Sequence, residues 1–215
     1  MGRNEGTGSI KEGQPAAWEQ AYHQEHPRWR GPSDLKMDHL SGKVLELGCG
    51  DGKTAIALAE SGLNVTGLDR SRAALLTLSR RIGPGKLDLV QGDALDLPFK
   101  DGEFDSVTAV HFVDHLLSAD RKNAVKEIGR VLRRPGVVVG RFFSVNDMRF
   151  GKGEEVEHGT YLKGNGVINH YFSEDEILDL FAGYEVLSIE ASSKETKFSG
   201  GSERRSWITA ELKKR

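Results

Sequence analysis

Short apolar runs alternate along this chain with stretches whose apolar residues recur at helical spacing. Residues 44–47, Val-Leu-Glu-Leu, form the first run, and residues 53–60, Lys-Thr-Ala-Ile-Ala-Leu-Ala-Glu, read as a helix behind a glycine-rich turn. Residues 64–69 give a second strand, with Ser71 as N-cap of a helix over residues 72–81. Residues 87–91 and 104–112 give two more strands, and Ser118 caps a helix that runs to about Leu132. The run at 137–143 is β-branched without alternation, the pattern of a central strand buried on both faces. Ser173-Glu174-Asp175-Glu176 is a capping box that opens a helix to Ala182. Two last strands, 184–191 and 206–212, flank a polar loop at 192–205. Strand and helix in alternation predict an α/β domain with a mostly parallel sheet.

Three segments stand outside that alternation. Residues 1–13, glycine-rich with scattered charges, are expected to be disordered. Residues 14–40 are polar but punctuated by Trp18, Tyr22 and Trp29, with Pro15 expected at a helix start, so this segment is expected to lie against the rest of the domain. Residues 144–172 form a long loop, and a loop of that length inside a compact domain is usually functional or mobile. Residues 14–215 are therefore expected to form one domain.

The turn at Gly48-Cys49-Gly50-Asp51-Gly52 carries the first chemistry. Strand, glycine-rich turn and helix let backbone amides press against a small ligand with no Cβ in the way. A dinucleotide turn needs Gly-x-Gly-x-x-Gly, and Lys53 stands where its third glycine belongs. A phosphate loop ends in Gly-Lys-Thr, as Gly52-Lys53-Thr54 does, but its leading glycine is replaced by Leu47. Glu46 would also repel a polyphosphate and suits a ligand with a cationic group. Further acids close the next strands: Asp69 after the second, placed to accept from paired ribose hydroxyls, and Asp93 within Gly92-Asp93-Ala94 after the third.

This ordered set resembles the cofactor-binding motifs of the class I, Rossmann-like S-adenosylmethionine-dependent methyltransferases, strongly over residues 40–145. The resemblance implies a three-layer αβα sandwich whose seven-stranded, mostly parallel sheet ends in an antiparallel hairpin. It implies that Glu46 and the backbone of Gly48, Cys49, Gly50 and Gly52 hold S-adenosyl-L-methionine, with Asp69 on the ribose. Asp93 would take the adenine amine, Ala94 would lie along the ring, and Arg70, Leu68 and Leu95 would contribute walls. His111, at the end of the fourth strand, would stand nearest the sulfonium. The Trp18 segment is similar to the N-terminal segments of tellurite-resistance-type and thiopurine methyltransferases, which implies a lid over the cofactor.

Methyl transfer from a sulfonium needs alignment, and a base only where the acceptor must lose a proton. His111 and His115 are the candidate bases, since imidazole titrates near neutral pH, while Asp114 could orient a histidine. His111-Phe112-Val113-Asp114 replaces the Asn/Asp-Pro-Pro-Tyr-like motif of base-amino methyltransferases and argues against that class. The charge of −2 gives no general attraction to nucleic acid or to anionic membrane. Cys49 is the one cysteine, so no disulfide framework or cysteine metal cluster is expected, and no metal site is read from the histidines. No apolar stretch reaches the ~20 residues of a membrane span, and a cytoplasmic protein, monomeric or homodimeric, is expected. A small-molecule methyl acceptor is the preferred partner. A cofactor-binding regulatory protein, an RNA-directed methyltransferase and a nicotinamide oxidoreductase are the competing readings.

Overall fold

The computed structural model describes residues 5–23, 33–82, 87–198 and 201–215. Helix α1 (Glu5–Tyr22) precedes a βα succession of β1 (Lys43–Leu47), α2 (Lys53–Glu60), β2 (Asn64–Asp69), α3 (Arg72–Ile82) and β3 (Asp88–Gln91). Then come β4 (Phe104–Val110), a single 3-10 turn (Val113–His115), α4 (Ser118–Val131) and β5 (Leu132–Phe143). The C-terminal part holds β6 (Glu154–Glu157), β7 (Thr160–Leu162), β8 (Ile168–His170), α5 (Glu174–Leu180), β9 (Tyr184–Phe198) and β10 (Gly201–Lys214).

Seven strands form one sheet in the order β3-β2-β1-β4-β5-β10-β9. The first five run parallel, and β10 pairs antiparallel with both β5 and β9. The strand order reverses between β1 and β4, so the C-terminal ends of these two strands open a crevice of the kind that α/β sheets use for ligands. Two apolar layers hold the sheet. Leu45, Leu47, Val107 and Val138 pack with Ile128 and Ile177 in one cluster. Val44, Val65 and Val139 pack with Leu58, Leu75 and Leu78 in the other. Buried faces on both sides explain why these strands read as continuous apolar runs. The seven-stranded sheet with its antiparallel end is the expected fold.

Three local expectations need correction. Helix α1 begins at Glu5, so residues 5–13 are helical where disorder was expected, and Pro15 lies inside the helix; residues 1–4 fall outside the described residues. Glycines at 6, 8 and 13 make this a poor helix by propensity, and contacts with the body of the domain supply what propensity lacks. Lys11 pairs with Asp120 at 2.7 Å, and the Gln14 side chain donates to the Gly166 carbonyl at 2.8 Å. The 144–172 segment contains the three-stranded antiparallel sheet β6-β7-β8, whose short strands leave too few residues for alternation to show. The expected polar loop at 192–205 is also largely strand, since β9 and β10 continue as a charged ribbon. Trp29 lies outside the described residues.

Candidate active site

A cavity of about 360 Å³ opens at the C-terminal ends of β1, β2 and β4. It falls in the size range of small-molecule and cofactor sites. Its base is the glycine-rich turn. Gly48, Gly50 and Gly52 have φ of +63°, +54° and +92°, backbone that L side chains rarely adopt. A Cβ on Gly50 would stand 2.5 Å from the Tyr22 hydroxyl, and one on Gly48 would stand 2.9 Å from Phe112 Cδ2. Gly52 serves differently: it is the N-cap of α2, packs against Leu78, and alone among the sequence-predicted site residues does not border the cavity.

The acids stand as their strand ends dictate. Asp69 Oδ2 accepts from the Gly50 amide and Oδ1 from the Ser71 amide, both at 2.8 Å, so the carboxylate is pinned between the turn and α3. Burial is the largest influence on it and lifts its pKa, against those two amides. A carboxylate offers about four lone-pair sites, so two bonds leave capacity for a ligand's hydroxyls. Glu46 is 2 % exposed, accepts from the Thr108 hydroxyl, and is pushed up by burial to about 7. Asp93 accepts from the Leu95 amide at 3.0 Å and pairs with the Arg70 guanidinium at 2.5 Å. Cys49 is buried beside Gly67, and burial raises its thiol well above the usual range, which agrees with a filler rather than a reactive thiol.

Two histidines complete the wall. His111 follows β4 with φ +50°, the one positive φ among the described non-glycine residues. Its amide donates to the Arg141 carbonyl at 2.8 Å, and its ring stacks on Phe143 with centroids 4.3 Å apart. His115 Nδ1 lies 2.8 Å from the Ile168 carbonyl, and its ring meets the Trp18 edge at 4.6 Å. Burial presses the His115 pKa down to about 4. Helix α1 contributes to the same wall: Trp18 and Tyr22 border the cavity, and Glu19 accepts from the Ser71 hydroxyl at 2.7 Å. Ala94, Leu68 and Leu95 also border it.

The sequence did not mark Arg141, Ile168 or Tyr22 as site residues, although all three border the cavity. Arg141 and Ile168 arrive from distant elements and carry no local motif. Tyr22 did carry a signal, an aromatic residue in a polar segment, but nothing placed it over Gly50. Among the described residues no cluster of metal-ligating side chains occurs.

The comparisons agree with this geometry. Residues 45–140 match the family model described as Methyltransferase domain. A Synechocystis protein named uncharacterized methyltransferase sll0829 is 39% identical over 95 residues, covering 44% of each chain. The tRNA N(3)-cytidine methyltransferase METTL2 of Danio rerio is 29% identical over 160 residues, covering 67% of this chain and 45% of that protein. The chain thus spans a little under half the length of either relative. A solved SAM-dependent methyltransferase from Methanosarcina mazei superposes with a TM-score of 0.72 at 24% identity, covering 85% of this chain and 99% of that one. Residues 45–140 thus carry a methyltransferase domain, and the chain has the fold of a solved S-adenosylmethionine-dependent methyltransferase.

The residues present fit S-adenosylmethionine. The turn has the bare backbone that an added Cβ would obstruct, and an acid stands at the end of each of the first two strands, Glu46 buried and Asp69 half-buried. Among the described residues no helix is long and apolar enough to cross a membrane.

Proposed function

We propose that this protein transfers a methyl group from S-adenosylmethionine to a small-molecule acceptor. The observation that carries the proposal is one cavity bordered both by the strand-end acids and by His111 and His115, beneath helix α1. The bound cofactor supplies an electrophilic methyl group on a cationic sulfur. Asp69 holds the ribose, and the amides and bare Cα atoms of Gly48 and Gly50 admit the chain of the amino acid moiety. Ionised Glu46 balances its positive charge, with Cys49 filling the turn and Gly52 setting the entry of α2. Asp93 and Arg70 flank the adenine, and Ala94 lies along it. His111 and His115 stand on the acceptor side. Trp18 and Tyr22 exclude water and hold the acceptor in line with the methyl group.

Enclosure by α1 supports a small acceptor. The charged β9–β10 ribbon gives little support to an RNA acceptor, although two relatives carry a tRNA methyltransferase name. Its Arg204 faces Glu195 at 3.6 Å, and Glu203 faces Lys152 at 3.7 Å, so its cations are interleaved with acids.

Isothermal titration calorimetry with S-adenosylmethionine and with its demethylated product tests the cofactor roles. Asp69→Ala is expected to weaken both by about ten- to a hundredfold, the cost of losing hydrogen bonds to a charged group. Equal affinity in the variant would remove Asp69 from the site. Binding of the cofactor with methyl transfer to tRNA, and to none of a small-molecule panel, would contradict the acceptor class.

A further inference from the structure

The wall around His111 contains a paired acid and base that the cofactor reading does not use. Asp114 lies in the 3-10 turn directly after β4 and is 0 % exposed. Its Oδ1 accepts the Phe143 amide at 2.5 Å. Its Oδ2, buried and without a hydrogen bond of good geometry, faces His111 Nδ1 at 3.4 Å. That nitrogen is buried as well, yet the side chain as a whole keeps 28 % of its surface accessible. The exposure therefore belongs to the rest of the side chain, and His111 borders the cavity.

The surroundings of the ring add further support. The left-handed backbone at His111 aims its side chain, and the Phe143 ring forms a platform beneath it. Arg149 in turn lies over Phe143, its guanidinium carbon 4.2 Å from the ring centre. Asp114 holds the Phe143 backbone with one oxygen and faces His111 with the other, so one carboxylate sets both platform and base. Strain at a non-glycine residue, together with a buried carboxylate that faces its imidazole, is the arrangement of a site held ready for proton transfer.

We infer that His111 is a catalytic base oriented by Asp114, and that the acceptor is a hydroxyl or thiol that is still protonated at neutral pH. This rests on the methyltransferase reading above. The acceptor oxygen or sulfur gives its proton to His111 Nε2 and its electron pair to the methyl carbon. The pair of the broken carbon–sulfur bond stays on the departing thioether sulfur. The imidazolium, beside the Asp114 carboxylate, later returns its proton to water. An acceptor that is already an anion or a free amine would need no such pair.

His115 is the weaker base: its Nδ1 faces the neutral Ile168 carbonyl where His111 faces a carboxylate, and burial presses its pKa down to about 4, which disfavours its protonated form. The charges facing His111 come from three places: Asp114 in the 3-10 turn, Arg141 on β5 and Arg149 in the following loop. Burial lowers the His111 pKa most, the two arginines lower it further, and Asp114 opposes them. The base is therefore neutral and able to accept at pH 7.

The test uses the full chain. Imidazole ¹H–¹⁵N NMR is expected to show His111 neutral at pH 7 with its proton on Nδ1. Asp114→Asn should move the His111 titration to lower pH and mix its tautomers. A proton on Nε2 in the wild type, or a titration unmoved by Asp114→Asn, overturns the pair. In parallel, methyl transfer from S-adenosylmethionine is assayed at pH 7 with phenol, benzyl alcohol, benzyl mercaptan and aniline. His111→Gln should lower transfer to the hydroxyl or thiol probe at least about a hundredfold, and Asp114→Asn should lower kcat and shift the acid limb of the pH profile. Transfer to aniline alone, or to none of the probes while the cofactor binds, overturns the acceptor class. Failure of the cofactor to bind refutes the methyltransferase reading instead, and the NMR result still decides the pair.

Discussion

At Glu46 a carboxyl group sits almost out of reach of water, with the Thr108 hydroxyl as its donor, and burial lifts its pKa to about 7. The unfolded chain would titrate this group near 4.5. As pH rises from that value through about 7, the folded state retains a proton that the unfolded state has released. Stability contributed by Glu46 must therefore fall across this window and stay low above it. The loss is of the order of a few kcal/mol. Denaturant unfolding at pH 5 and at pH 8 should show a stability drop in the wild type that Glu46→Gln largely removes. An equal drop in both proteins would mean that Glu46 is ionised throughout. Glu46, Asp69 and Asp93 were legible in the sequence because each closes a strand in order, and strand ends can be read from apolar runs. The coupling of Asp114 to His111 was legible only as spacing. That its other oxygen would bind the Phe143 amide depends on β5, about thirty residues further on, and no local pattern carries it.

Helix α1 shows what an element can owe to its surroundings. Its sequence, with three glycines and an internal proline, reads as chain too weak to fold alone. Its anchors are polar and spread over the domain. Glu19 accepts from the Ser71 hydroxyl and from the Ala73 amide at 3.2 Å, adding a cap to the start of α3. Gln14 clasps the β7–β8 turn, accepting the Ile168 amide at 3.2 Å as well as donating to Gly166. Glu19→Ala should therefore loosen the strap while sparing the core. Limited proteolysis is expected to cut within residues 5–22 several-fold faster in this variant, and added S-adenosylmethionine should slow the cut in the wild type. Unchanged cleavage in both comparisons would show that α1 is not held by these contacts. The small sheet β6-β7-β8 escaped the sequence for a related reason: strands of three or four residues are too short for a period of two to stand out.

Across the whole molecule, the division between legible and hidden follows the two halves of the cavity. The cofactor half is built from consecutive βα units, where each motif lies next to the strand that positions it. The parallel sheet was legible for the same reason, and its antiparallel end followed from the family resemblance. The acceptor half gathers α1, the 3-10 turn, the end of β5 and β8, elements distant in sequence that meet only in the fold. Its residues have no motif to announce them. The central claim joins the halves: the strand-end acids hold the cofactor so that its methyl group faces the His111 wall. A crystal structure of the protein with S-adenosylmethionine tests it most directly. The account predicts the ribose hydroxyls on Asp69, the adenine beside Asp93 and Ala94, and the methyl group directed toward His111 beneath Trp18 and Tyr22. Adenosine bound away from Asp69, or a methyl group turned from His111, would contradict it.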